Sequence, residues 1–233
     1  MEFKKVFQVI DGVRKMVGDG FDVTSPMPGS RIRQLSPFLL IDHTGPMEVN
    51  PTDQPLGADP HPHRGFETVT IVYQGYLAHR DTAGYSGKIG PGDVQWMTAG
   101  SGLLHEERHE KEFSAKGGTL ELVQLWVNVP KKDKMASPRY QELAVASIPV
   151  ILKKDDKSSI RVISGTYEGT SGPAQTFSPI TILDVQQQAG SQIELKLPAD
   201  YNVGLYLVKG AITINQTRQA KDKQWVVFGW NAE

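Results

Sequence analysis

What most constrains the fold is punctuation. Glycine and proline, 23 and 15 in number, interrupt the chain about every eight to twelve residues, between short runs rich in valine, isoleucine and threonine. Long helices have no room in such a chain, and an all-β sandwich or barrel is predicted. From 68 onward "TVTIVYQGYLAHRD" reads as a strand, a turn at Gln74 and Gly75, and a second strand. "AGYSGKIGPGDVQWMTAGSG" is dense in turn residues, "LLHEERHE" follows, and "TLELVQLWVNV" at 119–129 has the continuous apolar character of a buried strand.

Alternation lapses at "PKKDKMASPRYQEL", 130–143, where charge and two prolines mark a crossover with one short helical turn. The expected division is an N-terminal domain at 1–130, a linker at 131–150 and a second domain at 151–233. Beyond the break, "IRVISG", "ITILDVQQQAGSQIELKLPADYNVGLYLVKGAITIN" and "KQWVVFG" again read as strands. The phrase "TIVYQGYLAHR" finds a counterpart in "LYLVKGAITIN", so two β-barrels in tandem are expected.

With 25 basic and 26 acidic residues the net charge is -1, which provides no basic field to attract nucleic acid. No run of about eighteen apolar residues could span a membrane, and "MEFKKVFQVI" lacks the apolar core of a signal peptide. Together with the absence of cysteine, this predicts a cytoplasmic protein without disulfides or thiolate chemistry. Any metal must be held by nitrogen and oxygen.

The histidines are His43, His61, His63, His79, His105 and His109, so the chain beyond 109 cannot build an imidazole site. Side chains at i and i+2 of a strand share a face. His61 and His63 in "DPHPHRGFET" therefore project together, as do His105, Glu107 and His109 in "HEERH", with Glu106 and Arg108 turned the other way. If these segments meet in a barrel, three imidazoles and a carboxylate converge, a donor set suited to Fe(II), Mn(II), Ni(II), Cu(II) or Zn(II). An octahedral ion so held keeps two positions open, for a substrate oxygen and for water or dioxygen. Glu67 alternates onto the opposite face unless a bulge at Gly65 returns it, which makes it the rival carboxylate. His43 and His79 read as structural or surface histidines, and Asp59, Glu106, Glu110 and Glu112 as solvated charge. From the residues alone, His-Pro-His stays open between a metal site and a histidine-rich surface turn.

"HPHRGFETVT", "GKIGPGDVQWMTAGSGLLHEE", "LELVQLWVNVP" and "RYQEL", in this order and spacing, resemble the pirin family of the cupin superfamily, as does "SRIRQLSPFLLIDH" near the N-terminus. "ISG" at 163–165 matches the start of that family's second domain. The resemblance is continuous from about 10 to 167 and thinner beyond. It implies a bicupin, two tandem double-stranded β-helix (jelly-roll) barrels, with one mononuclear metal, usually iron, in the first. The implied ligands are His61, His63, His105 and Glu107, with Glu67 and His109 near the site but outside the ligand set, and a metal-free second barrel. Pirins continue past the segment resembling "KQWVVFGWNAE", whereas this chain stops at Glu233, so either the second barrel is shortened, which would leave unpaired edges, or it closes differently. The function implied is quercetin 2,3-dioxygenase-type cleavage of a flavonol with O2, with Glu107 as the catalytic proton acceptor for the flavonol 3-hydroxyl. The alternative is an iron-dependent regulator acting through protein partners.

Overall fold

The computed structural model describes residues 3–29, 32–153 and 157–229. The first half contributes twelve strands: β1 (Val6–Asp11), β2 (Val13–Val17), β3 (Phe21–Met27), β4 (Phe38–Val49), β5 (Gly57–His63), β6 (Phe66–Gln74), β7 (Leu77–Asp81), β8 (Ser86–Ile89), β9 (Val94–Thr98), β10 (Leu103–His109), β11 (Gly118–Asn128) and β12 (Arg139–Leu143). A single short helix, α1 (Lys111–Lys116), interrupts them. The second half contributes β13 (Val150–Leu152), β14 (Ser158–Ser164), β15 (Thr166–Tyr167), β16 (Thr170–Ser171), β17 (Ile182–Gln187), β18 (Gly204–Tyr206), β19 (Ala211–Ile214), β20 (Arg218–Lys221) and β21 (Gln224–Phe228).

Two sheets form the first barrel. One has seven strands in the order β12-β9-β6-β11-β4-β3-β2, and the other four in the order β5-β10-β7-β8. Apolar side chains from both, among them Val72, Leu120 and Leu122 from the larger and Leu77 and Ile89 from the smaller, fill the space between. The larger sheet is buried on both faces, which explains why β11 reads as a nearly continuous apolar run. On its outer face Val69, Ile71 and Trp96 pack with Ile163, Ile180 and Ile182 of the second half. Trp225 and Val227 join Ile41 and Val123 in an adjoining cluster.

The strand-glycine-strand phrase turns a corner in both of its copies. β6 and β7 lie in different sheets, as do β18 and β19. At the first corner Gly75 has φ +78°, and a Cβ there would stand 2.9 Å from Leu120 Cδ1 and 2.9 Å from Phe113 Cζ. Only glycine tolerates that combination of backbone conformation and proximity.

Several expectations change. "RYQEL", read as part of the crossover, is β12 and pairs with β9 across Arg139↔Thr98 to Leu143↔Val94. The expected helical turn is a 3-10 turn at Lys131–Asp133. "QIELKLP", which alternates like a strand, belongs to no sheet; Ile193, Leu195 and Leu197 nevertheless pack against Ile160, Val162 and Tyr167. Alternation reports which side chains are buried, not which backbones pair. β1 pairs with β21 across the whole chain, so hydrogen bonding crosses the expected 130–131 division here as well as at β12. β21 has neighbours on both sides, whereas among the described residues β13 and β17 each pair only with β14. Residues 230–233, on which the expectation of a shortened barrel rests, lie outside the described residues.

Candidate metal centre

Among the described residues β5 is an edge strand, hydrogen-bonded only to β10. That is where a strand tolerates Pro60 and Pro62, whose missing N–H groups break no ladder. Its alternation sends His61 and His63 to one side, and β10 pairs antiparallel with His105 opposite His61. The three imidazoles form a nearly equilateral triangle, with ring centroids 4.8 Å apart for His61 and His63, 4.5 Å for His61 and His105 and 4.8 Å for His63 and His105. One ligand nitrogen from each lies within 4.8 Å of the others.

Glu107 is reached through a bulge, since the register slips between His105↔His61 and Glu107↔Ala58. Gly57 makes the slip possible: a Cβ there would lie 2.2 Å from the Glu107 carbonyl oxygen. Glu107 Oε2 stands 4.0 Å from His105 Nε2, and the carboxylate accepts from Gln124 Nε2 at 3.1 Å on both oxygens.

The donor set fits a metal on its own chemistry. Both ring nitrogens of His63 and of His105 are buried with no hydrogen-bond partner among the described residues, a costly arrangement unless something else takes their lone pairs. Burial, reinforced by neighbouring imidazoles, lowers the pKa of each ring from 6.5 to about 3, which leaves both in the neutral form that a metal requires of an imidazole. His61 Nδ1 lies 2.7 Å from the Asp59 carbonyl oxygen. A carbonyl only accepts, so Nδ1 carries the proton and Nε2 keeps its lone pair for the cluster.

The other singled-out residues fall elsewhere. Glu67 is 1% exposed and accepts from Thr98 Oγ1 at 2.7 Å. It alternates with Val69 and Ile71, which face the second half, so the Gly65 turn does not return it to the imidazoles; burial raises its pKa. His109 takes partners of its own: its Nε2 meets the Gly20 carbonyl at 2.9 Å and its ring stands edge-on to Phe21. His43 is buried between Tyr206 Oη at 3.0 Å and Glu121 at 3.3 Å. Glu106 is not solvated charge but is 7% exposed, paired with Arg80 and Arg108. Glu110 caps α1 by accepting from Phe113 N at 3.0 Å.

Sequence reading missed the site's neighbours. His79 lies directly across from Glu107 on β7 and stacks on Tyr140 at 4.7 Å. Gln124 and Trp126 approach from β11, and Phe66 from the start of β6. The alternation of β11, which turns Leu120, Leu122, Gln124 and Trp126 to one face, was the available signal for the last pair.

Known proteins agree with this architecture. The family model "Pirin" matches residues 20–127. A protein of Pseudomonas aeruginosa named "Putative quercetin 2,3-dioxygenase" is 49% identical over 213 residues, 91% of this chain and 74% of its own length. Pirin of Rattus norvegicus is 36% identical over 212 residues, 91% of this chain and 68% of its own. The crystal structure of quercetin 2,3-dioxygenase from Acinetobacter baumannii superposes with a TM-score of 0.93 at 40% identity, over 98% of this chain and 80% of that one. Across the first curated relatives, the chain spans between 62% and 74% of their length.

Proposed function

The chain belongs to the pirin family of bicupins, and from that premise we propose that it is a metal-dependent oxygenase of the quercetin 2,3-dioxygenase type, opening a flavonol with O2 to a depside and carbon monoxide. The observation that carries this reading is the triangle of imidazoles, two of them with unpartnered buried nitrogens, beside a carboxylate. Likeness to proteins named for that activity, at 40% and 49% identity, supports the choice of substrate.

His61, His63 and His105 would hold a divalent transition metal, Fe(II) by preference, with Glu107 as fourth ligand. Such an ion supplies Lewis acidity, lowering the pKa of a hydroxyl that it meets. Glu107 would accept the proton of the flavonol 3-hydroxyl on a carboxylate oxygen. Gln124 holds both oxygens as acceptors and so keeps the carboxylate oriented. Leu103, paired with His63 across β10 and β5, belongs to a buried apolar cluster with Met97 and Ala99.

The test is oxygen uptake together with flavonol absorbance, on protein whose metal content is measured. Metal-loaded protein should consume quercetin and O2 in equal amounts; no consumption with metal bound overturns the reading.

A further inference from the structure

Along β11 the inward-facing residues lose burial in one direction. Leu120 and Leu122 are 0% and 4% exposed, whereas Gln124 and Trp126 are only half-buried. β6 does the same: Val72, Thr70 and Thr68 are buried and Phe66 is half-buried. Both strands open at the end where the imidazoles sit. Trp126 and Phe66 lie there as a pair, ring centroids 4.5 Å apart and tilted by 30°. His63 stands edge-on to both, at 5.3 Å from Trp126 and 5.0 Å from Phe66. Two large aromatics left half-open at the imidazole end of the barrel can offer stacked and edge-on contacts, which favour another flat ring over an aliphatic partner.

A hydrogen-bonded chain leads from this surface to the carboxylate. Trp126 Nε1, which can only donate, meets Gln124 Oε1 at 3.2 Å. That fixes the orientation of the Gln124 amide, so its NH2 points to Glu107 at 3.1 Å and to Thr70 Oγ1 at 3.2 Å. The indole, the amide and the carboxylate are thus registered to one another.

We propose that the Trp126–Phe66 pair is the docking face for a planar aromatic ring of the substrate, and that Gln124 is a positioning residue coupling this face to Glu107. The proposal rests on the oxygenase reading for the identity of the ring. It narrows the substrate class to extended planar aromatics and away from the sugars and small aliphatic acids that other barrels of this shape could take.

Quercetin affinity is measured by equilibrium dialysis under nitrogen on metal-loaded wild type, Trp126→Ala, Trp126→Phe and Phe66→Leu, with bound metal quantified in each. Trp126→Ala should bind about ten-fold more weakly and Phe66→Leu should lie between it and wild type, with metal content unchanged; Trp126→Phe should retain most of the affinity. Gln124→Leu should lose metal to a competing chelator about ten-fold more readily, with unchanged thermal unfolding of the metal-free protein. If wild type consumes quercetin while Trp126→Ala and Phe66→Leu bind it as wild type does, the docking face is wrong and the oxygenase reading stands. If binding depends on Trp126 but no O2 is consumed, the docking face stands and the oxygenase reading falls. If wild type does not bind quercetin, both fall. Unchanged metal retention in Gln124→Leu overturns its positioning role.

Discussion

Removing the metal should leave a protein that is unusually sensitive to mild acid, and the size of the effect follows from two side chains. In the folded chain His63 and His105 titrate at about 3, against 6.5 for an unconstrained histidine. Between those values the unfolded chain binds two protons that the folded chain does not. Stability is therefore intact above about pH 6.5 and falls as the pH drops toward 3, at up to about 1.4 kcal/mol per pH unit for each ring. Going from about pH 7.5 to about pH 5.5 costs about 1.4 kcal/mol per histidine, about 2.7 kcal/mol for the pair. His43, His79 and His109, whose pKa values are also lowered by burial, act in the same direction. The discriminating comparison is therefore between wild type and His105→Asn, both metal-free, unfolded by urea at the two pH values. The variant should show a pH-dependent loss about 1.4 kcal/mol smaller than wild type. Equal losses in the two proteins would refute the view that these rings are kept neutral by burial in the cluster. Metal returned to the wild type should offset the acid sensitivity by binding only the folded state.

Further expectations address the neighbouring residues. His61→Ala or His105→Ala should abolish tight metal binding, read as metal per chain after desalting, because each removes one corner of the triangle. Glu67→Gln should leave that stoichiometry unchanged, since its carboxylate bonds Thr98 on the far face of the sheet; a loss of metal comparable to that of His105→Ala would make Glu67 the true ligand. Tyr206→Phe should lower stability by about 1 kcal/mol, by denaturant titration, without altering metal content, because the hydroxyl it removes partners the buried His43.

Much of the site was legible because a strand's period of two is strict. His61 with His63 and His105 with Glu107 could be assigned to shared faces before any contact was known, and that alternation put Glu67 on the other side. What could not be read depended on pairing between distant segments. The corner at Gly75 has the local chemistry of a hairpin, and only the partners of β6 and β7 in separate sheets reveal otherwise. "RYQEL" looked like linker because its strand character comes from β9, and "QIELKLP" looked like a strand because burial alone produced its alternation. His79 and Tyr140 remained invisible as site neighbours, since their place depends on β7 and β12 lying across from β10 and β9. The buried Glu106 is the plainest lesson in charge: its cover is Arg80 and Arg108, supplied by β7 and by its own strand.

The pairing of β1 with β21 also sets an order of events during synthesis. Asp11 and Gln224, joined by a side-chain hydrogen bond, are 213 residues apart. At a translation rate of about 5–20 residues per second, β1 leaves the ribosome roughly 10–40 s before its partner exists. Throughout that interval Val9 and Ile10 have no sheet to join, while the histidine-bearing barrel can already close around its ligands. The histidine cluster can thus be assembled before β1 finds its partner.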